Sequence, residues 1–281
     1  MKLKEIIYGL NKNQAILHYN VSTLEQIKAG IIAVKETKIP IIFGVSEGER
    51  KYLNPKLVKK IIDFYREEEN LNDFIFLNAD HSKTFESSKL ALFLNYDEVL
   101  VDGSELSLEE NIKIVKEIVS LRDKNNLNVL IEGEVGFIGG KSEVQKEGVE
   151  IKEEDLTNPD EALRFVEETK VDLLAVSIGN IHGILPYEPK LDFERGEKIA
   201  KLVKIPLVLH GASGISIENI KKCILIGFKI IHINTEFRKI WKEKLIERLN
   251  EDTVTPYKIY EPLVEELKKQ IVKYQEEFFS K

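Results

Sequence analysis

Eight short apolar runs, each separated from the next by a longer amphipathic stretch, constrain this 281-residue chain more than any other feature. They fall at 15–20, 39–46, 74–80, 98–104, 128–136, 171–179, 206–213 and 228–236. Most are too short for helices and are rich in Ile, Val, Leu and Phe, the pattern of parallel strands buried on both faces. Helical periodicity fills the gaps, as in Leu24-Ile27-Ile31-Val34 and Leu57-Val58-Ile61-Ile62-Tyr65. Asn54-Pro55 and Asn158-Pro159 read as helix starts, because proline fits the first helical position. Eight strand–helix alternations without a break in composition predict an α/β fold, a (β/α)8 TIM barrel forming one domain over 1–281. A doubly wound open sheet is the alternative, but no strand-to-helix turn carries its dinucleotide glycine fingerprint. From about 256 the chain reads as a C-terminal helical extension, with Leu263, Leu267, Ile271 and Tyr274 on one face to pack on the barrel or on a partner subunit.

The barrel reading directs attention to polar residues just after each strand, because barrel chemistry sits at the C-terminal mouth. Three of the five histidines fall there: His81 after 74–80, His182 after 171–179 and His210 at the end of the run that opens at 206. Three neutral imidazoles with an open fourth position make a catalytic zinc site. Taken singly, each is an ordinary loop histidine; the recurrence is what points to a metal. Asp80, covalently next to His81, fits an acid/base role and equally a helix N-cap for a stretch starting at Ser82. Glu132 and Glu134 lie two apart on a strand and so share one face, where paired carboxylates need a metal or a cationic partner. The segment 139–154 is charged, glycine-led and aperiodic, fitting a mobile loop over the mouth or a solvated connection.

A formal net charge of −7 argues against non-specific nucleic-acid or anionic-membrane binding, both of which need basic surfaces. The single cysteine, Cys223, suits a reducing compartment, and its setting in 220–226 is that of a small core residue. The opening MKLKE stretch lacks the apolar core of a signal peptide, so the expectation is a cytoplasmic protein without a membrane partner.

At Asp80-His81, GNIHG (179–183), HGASG (210–214) and INTEFR (233–238), the chain resembles the class II, metal-dependent fructose-bisphosphate aldolase family, which includes tagatose-bisphosphate aldolases. The strand motif ending at Asn20, SEGERKY (46–52), DGS (102–104) with EEN (109–111), and EGEVG (132–136) extend the likeness in order along nearly the whole chain. Each motif alone is weak evidence; the ordered set is strong.

The resemblance implies that His81, His182 and His210 bind a divalent metal, zinc by family habit, and that Asp80 is the acid/base at the C4 hydroxyl. It puts an alternate or second metal site at Asp102 and Glu134. Ser46, Gly183, Gly211, Ala212, Ser213, His232, Ile233, Asn234 and Thr235 fall where relatives contact the phosphorylated sugar. A monovalent cation beside the phosphate, as in some relatives, and a homodimer or homotetramer complete the expectation.

Three departures bear on substrate choice. His232 stands where the family commonly has an Asn that stabilises the enediolate. Glu143 is the nearest acid to the family's loop base, in a shifted register. Thr255-Pro256-Tyr257-Lys258 lacks the Arg of a DPRK-like segment. The implied reaction is reversible cleavage of fructose 1,6-bisphosphate. The rivals are tagatose 1,6-bisphosphate, a different aldehyde joined to dihydroxyacetone phosphate, or a non-catalytic metal- and sugar-phosphate-binding barrel. A Schiff-base mechanism would need a strand lysine, for which Lys229 is the candidate.

Overall fold

Short β-branched segments bounded by capped helices give ten strands in the computed structural model, which describes residues 2–279. The two ends of the 1–281 span lie outside the described residues. The strands are β1 (Ile16–Asn20), β2 (Ile41–Gly44), β3 (Ile75–Ser82), β4 (Glu98–Val101), β5 (Leu130–Val135), β6 (Gly140–Val144), β7 (Leu173–Val176), β8 (His182–Ile184), β9 (Leu207–Leu209) and β10 (Phe228–Ile233). Eight of them close a barrel in the order β1-β10-β9-β7-β5-β4-β3-β2, each pair parallel. These eight are the apolar runs of the sequence, and the chain is a (β/α)8 barrel. The open-sheet alternative falls.

Helix starts follow local chemistry. Asn54 and Asn158 cap helices opening at Pro55 and Pro159, and Thr23, Ser107 and Ser216 cap others. Asp80 caps nothing: β3 runs on to Ser82 and the next helix, Phe85–Phe93, is capped by Thr84. That expectation fails because β3 stays paired with β4 as far as Ser82, through a register shift between Ala79 and Ser82 that spans Asp80 and His81.

One apolar core lies between strands and helices, and a second fills the barrel interior. The N-terminal helix Leu3–Gly9 closes the bottom of the interior core, inserting Leu3 and Ile7 against Ile16, Ile42, Phe76, Leu130, Leu173, Val208 and Ile230. The C-terminal helix Pro256–Phe279 buries the stripe Leu263, Leu267, Ile271 and Tyr274 against its own barrel, where the Ala15 N–H donates to the Phe278 carbonyl at 2.9 Å. Both termini therefore brace the first strand.

The aperiodic segment after β5 is not a bare connection. Its β6 pairs in parallel with β8, with Gly140 opposite His182, to form a two-stranded ribbon beside the mouth. The partner strand lies about forty residues away, so local periodicity carried no trace of it.

Candidate active site

Following one strand upward shows how the site arises. On β1 the inward positions read Ile16, His18, Asn20; on β5 they read Leu130, Glu132, Glu134; on β10 Ile230 gives way to His232. Strand alternation keeps each set on one face, so the interior changes from apolar floor to polar mouth.

At the mouth the rings of His81, His182 and His210 converge, with centroids 5.1, 4.9 and 5.9 Å apart and one ligand atom from each within 4.8 Å of the others. Three different pieces of chain deliver them. His81 lies within β3, in a left-handed conformation (φ 43°) that only a few non-glycine residues adopt. His210 directly follows β9. His182 sits six residues beyond the end of β7, on the ribbon strand β8, so its address differs from the other two. Gly211 lets the chain turn behind His210: its φ is +63°, and a Cβ there would meet the Ile181 carbonyl oxygen at 2.4 Å.

Each ring has one nitrogen fixed by the protein. Nδ1 of His81 pairs with Asp102 Oδ2 at 2.8 Å, and Asp102 is itself held by the Ser104 hydroxyl and backbone N–H. His182 donates from Nδ1 to the Ile138 carbonyl at 3.1 Å. His210 Nε2 pairs with Glu132 Oε1 at 2.9 Å. The opposite nitrogens, Nε2, Nε2 and Nδ1, are left for an ion. A carboxylate or carbonyl on the far side of each ring is the usual support for metal-binding histidines, setting tautomer and orientation. Three imidazole nitrogens, each backed by an oxygen partner on the far side of its ring, fit a divalent transition ion.

The electrostatics fit the same conclusion. Burial pushes His182 and His210 down to about 3, keeping them neutral and ready to ligate. Burial also opposes charge on His81, but Asp80 and Asp102 outweigh it and raise the group to about 10. His81 would have to be deprotonated at Nε2 to hold an ion. Burial lifts Glu134 and Glu132 to about 8, with nearby acids adding to it. Asp102 and Glu134 stand behind His81, grouped with it within 4.8 Å. They fit an alternate ion position only if His81 gives up its bond to Asp102.

Asp80 has one carboxylate oxygen held and the other left without a partner. Its Oδ2 accepts from Asn20 Nδ2 at 2.8 Å, while Oδ1 is buried without a hydrogen-bond partner, 3.8 Å from His81 Nε2 and 3.7 Å from His232 Nδ1. Burial alone would raise this carboxyl, but His81 and the other histidines hold it well below the usual carboxylate range. Buried Arg50 ties the surrounding chain, donating to the Asp80 carbonyl at 2.9 Å and the Ser82 hydroxyl at 2.9 Å.

These groups line a cavity of about 190 Å³ with Asn20, Ser46, Ser142, Gly183, Gly211, Ser213, His232, Asn234, Thr235 and Arg238. Two expected contacts do not reach it. Ala212 and Ile233 point into the apolar layer behind the wall: strand alternation turns Ile233 outward, while Ala212 lies in the loop after β9, its N–H already spent on the His232 carbonyl at 3.1 Å. Ser142, not Glu143, meets the cavity from the ribbon. Lys229 lies near the start of β10, at the opposite end of the barrel, donating to the carbonyls of Asn11, Lys12 and Gln14, so it cannot serve as a Schiff-base lysine here.

Sequence reasoning left out three neighbours. Arg238 lines the cavity and pairs with Glu49 at 2.6 Å; Glu49 also accepts from Asn20 at 3.1 Å. Motif position hinted at both. His18, stacked beneath His232, had only strand alternation to reveal it.

The barrel and its mouth define a metal-dependent aldolase acting on a phosphorylated sugar. A model of the family described as "Fructose-bisphosphate aldolase class-II" matches residues 2–281, and the chain belongs to that family. It is 33% identical over 285 residues to a fructose-bisphosphate aldolase of Geobacillus stearothermophilus, covering 100% of this chain and 97% of that relative. It is 34% identical over 284 residues to a 6-phospho-5-dehydro-2-deoxy-D-gluconate aldolase of Bacillus licheniformis, covering 100% and 95%. Among solved structures, the YdjI aldolase from Escherichia coli K12 superposes with a TM-score of 0.83 at 27% identity, covering 99% of this chain and 95% of that one. No helix among the described residues is long and apolar enough to cross a membrane.

Proposed function

We propose that this chain is a zinc-dependent class II aldolase that reversibly cleaves fructose 1,6-bisphosphate into dihydroxyacetone phosphate and glyceraldehyde 3-phosphate. The observation that carries the reading is the unpartnered Oδ1 of Asp80 beside three histidines, each anchored through its far nitrogen. His81, His182 and His210 are the residues that would hold the ion, with Asp102 and Glu134 as an alternate position. A divalent ion held there supplies Lewis-acid charge for a substrate carbonyl.

The remaining steps belong to the protein. Asp80 takes the proton of the C4 hydroxyl as the C3–C4 bond breaks, leaving C4 an aldehyde and the electron pair with the enediolate. A proton then added at C3 completes dihydroxyacetone phosphate. Asn20 fixes which carboxylate oxygen is free, so the base is aimed before substrate arrives. His232 lines the cavity beside Asp80 and would meet the developing charge.

Phosphate binding is assigned to Gly183, Gly211, Ser213, Asn234 and Thr235, with Ser46 across the mouth. The helix Thr235–Leu249 points its N-terminus at this corner, where backbone N–H groups and the helix dipole favour an anion. Ser213 Oγ accepts from the Asn234 and Glu236 N–H groups at 3.2 and 3.4 Å, steadying that terminus. A monovalent cation beside the phosphate, a homodimeric or homotetrameric assembly and a cytoplasmic setting belong to the same proposal.

A second reading changes only the aldehyde half. The chain matches relatives named for fructose bisphosphate and for phosphodehydrodeoxygluconate equally well, and Arg238, the cation lining the cavity, is already engaged by Glu49. Tagatose 1,6-bisphosphate, differing only at C4, stands beside these. The test is dihydroxyacetone phosphate release from all three substrates, using metal-quantified protein before chelation, after it and after zinc readdition. Chelator-sensitive, zinc-restored cleavage of fructose 1,6-bisphosphate is expected. Release only from another substrate moves the assignment to that one, and no release from protein carrying stoichiometric metal overturns the aldolase reading.

A further inference from the structure

We infer that His18, which is not among the residues lining the mouth cavity, is a positioning residue that acts through His232 on the reacting end of the site. The inference rests on the aldolase reading for its kinetic consequence, and on ring geometry for its physical basis.

His18 and His232 are registered partners on the adjacent strands β1 and β10. Their rings lie parallel, 3.5 Å between centroids and 5° between planes. On its other side His232 leans on His210, 3.8 Å away at 39°. His232 is thus clamped between His18 and a candidate metal ligand whose own orientation Glu132 fixes. Its Nε2 is buried without a partner, and Nδ1 stands 3.7 Å from Asp80 Oδ1, too far for a direct hydrogen bond. Ring packing, rather than hydrogen bonding, sets where His232 points.

His18 is fully buried and neither of its ring nitrogens has a hydrogen-bond partner. Leaving two buried polar atoms unpaired is unfavourable, and an aliphatic side chain would fill the space without that cost. What the imidazole offers is a flat face. The neighbouring strand makes room for it: a Cβ at Gly44 would lie 2.0 Å from His18 Cε1. Burial holds His18 neutral, down to about 3, so no like-charge repulsion opposes the stack.

His18, Asp80 and His232 also fall within the 4.8 Å spacing of a cation cluster. A chelate is the poorer explanation, because nitrogen lone pairs lie in the ring plane and two parallel rings cannot turn theirs onto one ion. The stack instead sets the orientation of a single group, His232, at the wall of the cavity.

The test uses metal-loaded protein and exchange of a hydroxymethyl proton of dihydroxyacetone phosphate, on the carbon that is C3 of the parent sugar, into heavy water, which needs no aldehyde partner. His18→Ala is expected to slow exchange by roughly 10²-fold, the cost of misplacing a group by about 1 Å, with ligand affinity and bound metal unchanged. His18→Phe, which keeps a flat ring and removes both nitrogens, should restore most of the rate. In a His232→Asn background, His18→Ala should have almost no further effect, since residues acting through one another are not additive. Wild-type exchange in His18→Ala, no rescue by His18→Phe, or full additivity in the double variant would each overturn the inference.

Should the wild-type protein exchange nothing, the aldolase reading fails and a crystal structure of His18→Ala decides the stack. A His232 ring that leaves its wild-type rotamer supports the positioning role. An unmoved ring rejects it.

Discussion

The two ends of the barrel interior are built from the same strands and the same inward face, yet they do opposite things. At the floor, Ile16, Ile42, Phe76, Leu130, Leu173, Val208 and Ile230 interlock under Leu3 and Ile7 of the N-terminal helix. At the mouth, Asn20, Asp80, His81, His182, His210 and His232 line the cavity. Between them lies a fully buried polar layer, His18, Asn78, Glu98 and Glu132, whose unpartnered atoms mark the change. Moving up by two residues on a strand exchanges a side chain that stabilises the fold for one that binds or reacts. A barrel can therefore keep its chemistry and its stability on separate layers, with neither compromised by the other.

That separation can be broken from either end. Asp80→Asn should lower turnover by roughly 10²–10⁴-fold, the usual worth of a positioned acid/base, while metal content and melting temperature stay near wild type. Normal turnover, measured as dihydroxyacetone phosphate release, would remove Asp80 from the mechanism. Phe76→Ala attacks the floor: about 3–5 kcal/mol of stability should be lost in urea unfolding, as for other buried aromatic truncations, with the metal site intact in the protein that remains folded. If the same variant also sheds metal, the layers are coupled.

Asp102→Ala sharpens the comparison at the mouth itself. Removing the carboxylate that fixes His81 Nδ1 should weaken metal binding by about 10–100-fold, read by competition with a chromogenic chelator. Unchanged affinity would mean that His81 needs no support. The smallest effect belongs to Cys223, outside both layers. Burial pushes its thiol up to about 12, so a thiol reagent at neutral pH should label it only after unfolding.

Much of this was legible in the linear chain because it depends on near neighbours. Strand runs, proline and asparagine helix starts, and the adjacency of Asp80 to His81 are local properties, and the ordered motifs placed the three histidines at one end of the barrel. The exceptions are also physical. Ile233 sits inside the right motif but turns away from the cavity, since strand alternation, not motif membership, decides which neighbour faces in, and Ala212, in the loop after β9, packs into the outer apolar layer. Asp80 adjoins what read as a helix start, yet the paired strands carry β3 past it.

By itself the sequence determined eight buried strands, their alternation with helices, and the kinds of donor at their C-terminal ends, because hydrophobic period and turn chemistry act over a few residues. Tertiary structure alone decided which far nitrogen each histidine surrenders. Glu132 reaches His210 across 78 positions and Asp102 reaches His81 across 21. It also decided that 140–144 forms a ribbon with the strand that carries His182, and that His18 lies flat beneath His232. These relations depend on register between strands distant in the chain, which closure of the barrel fixes all at once.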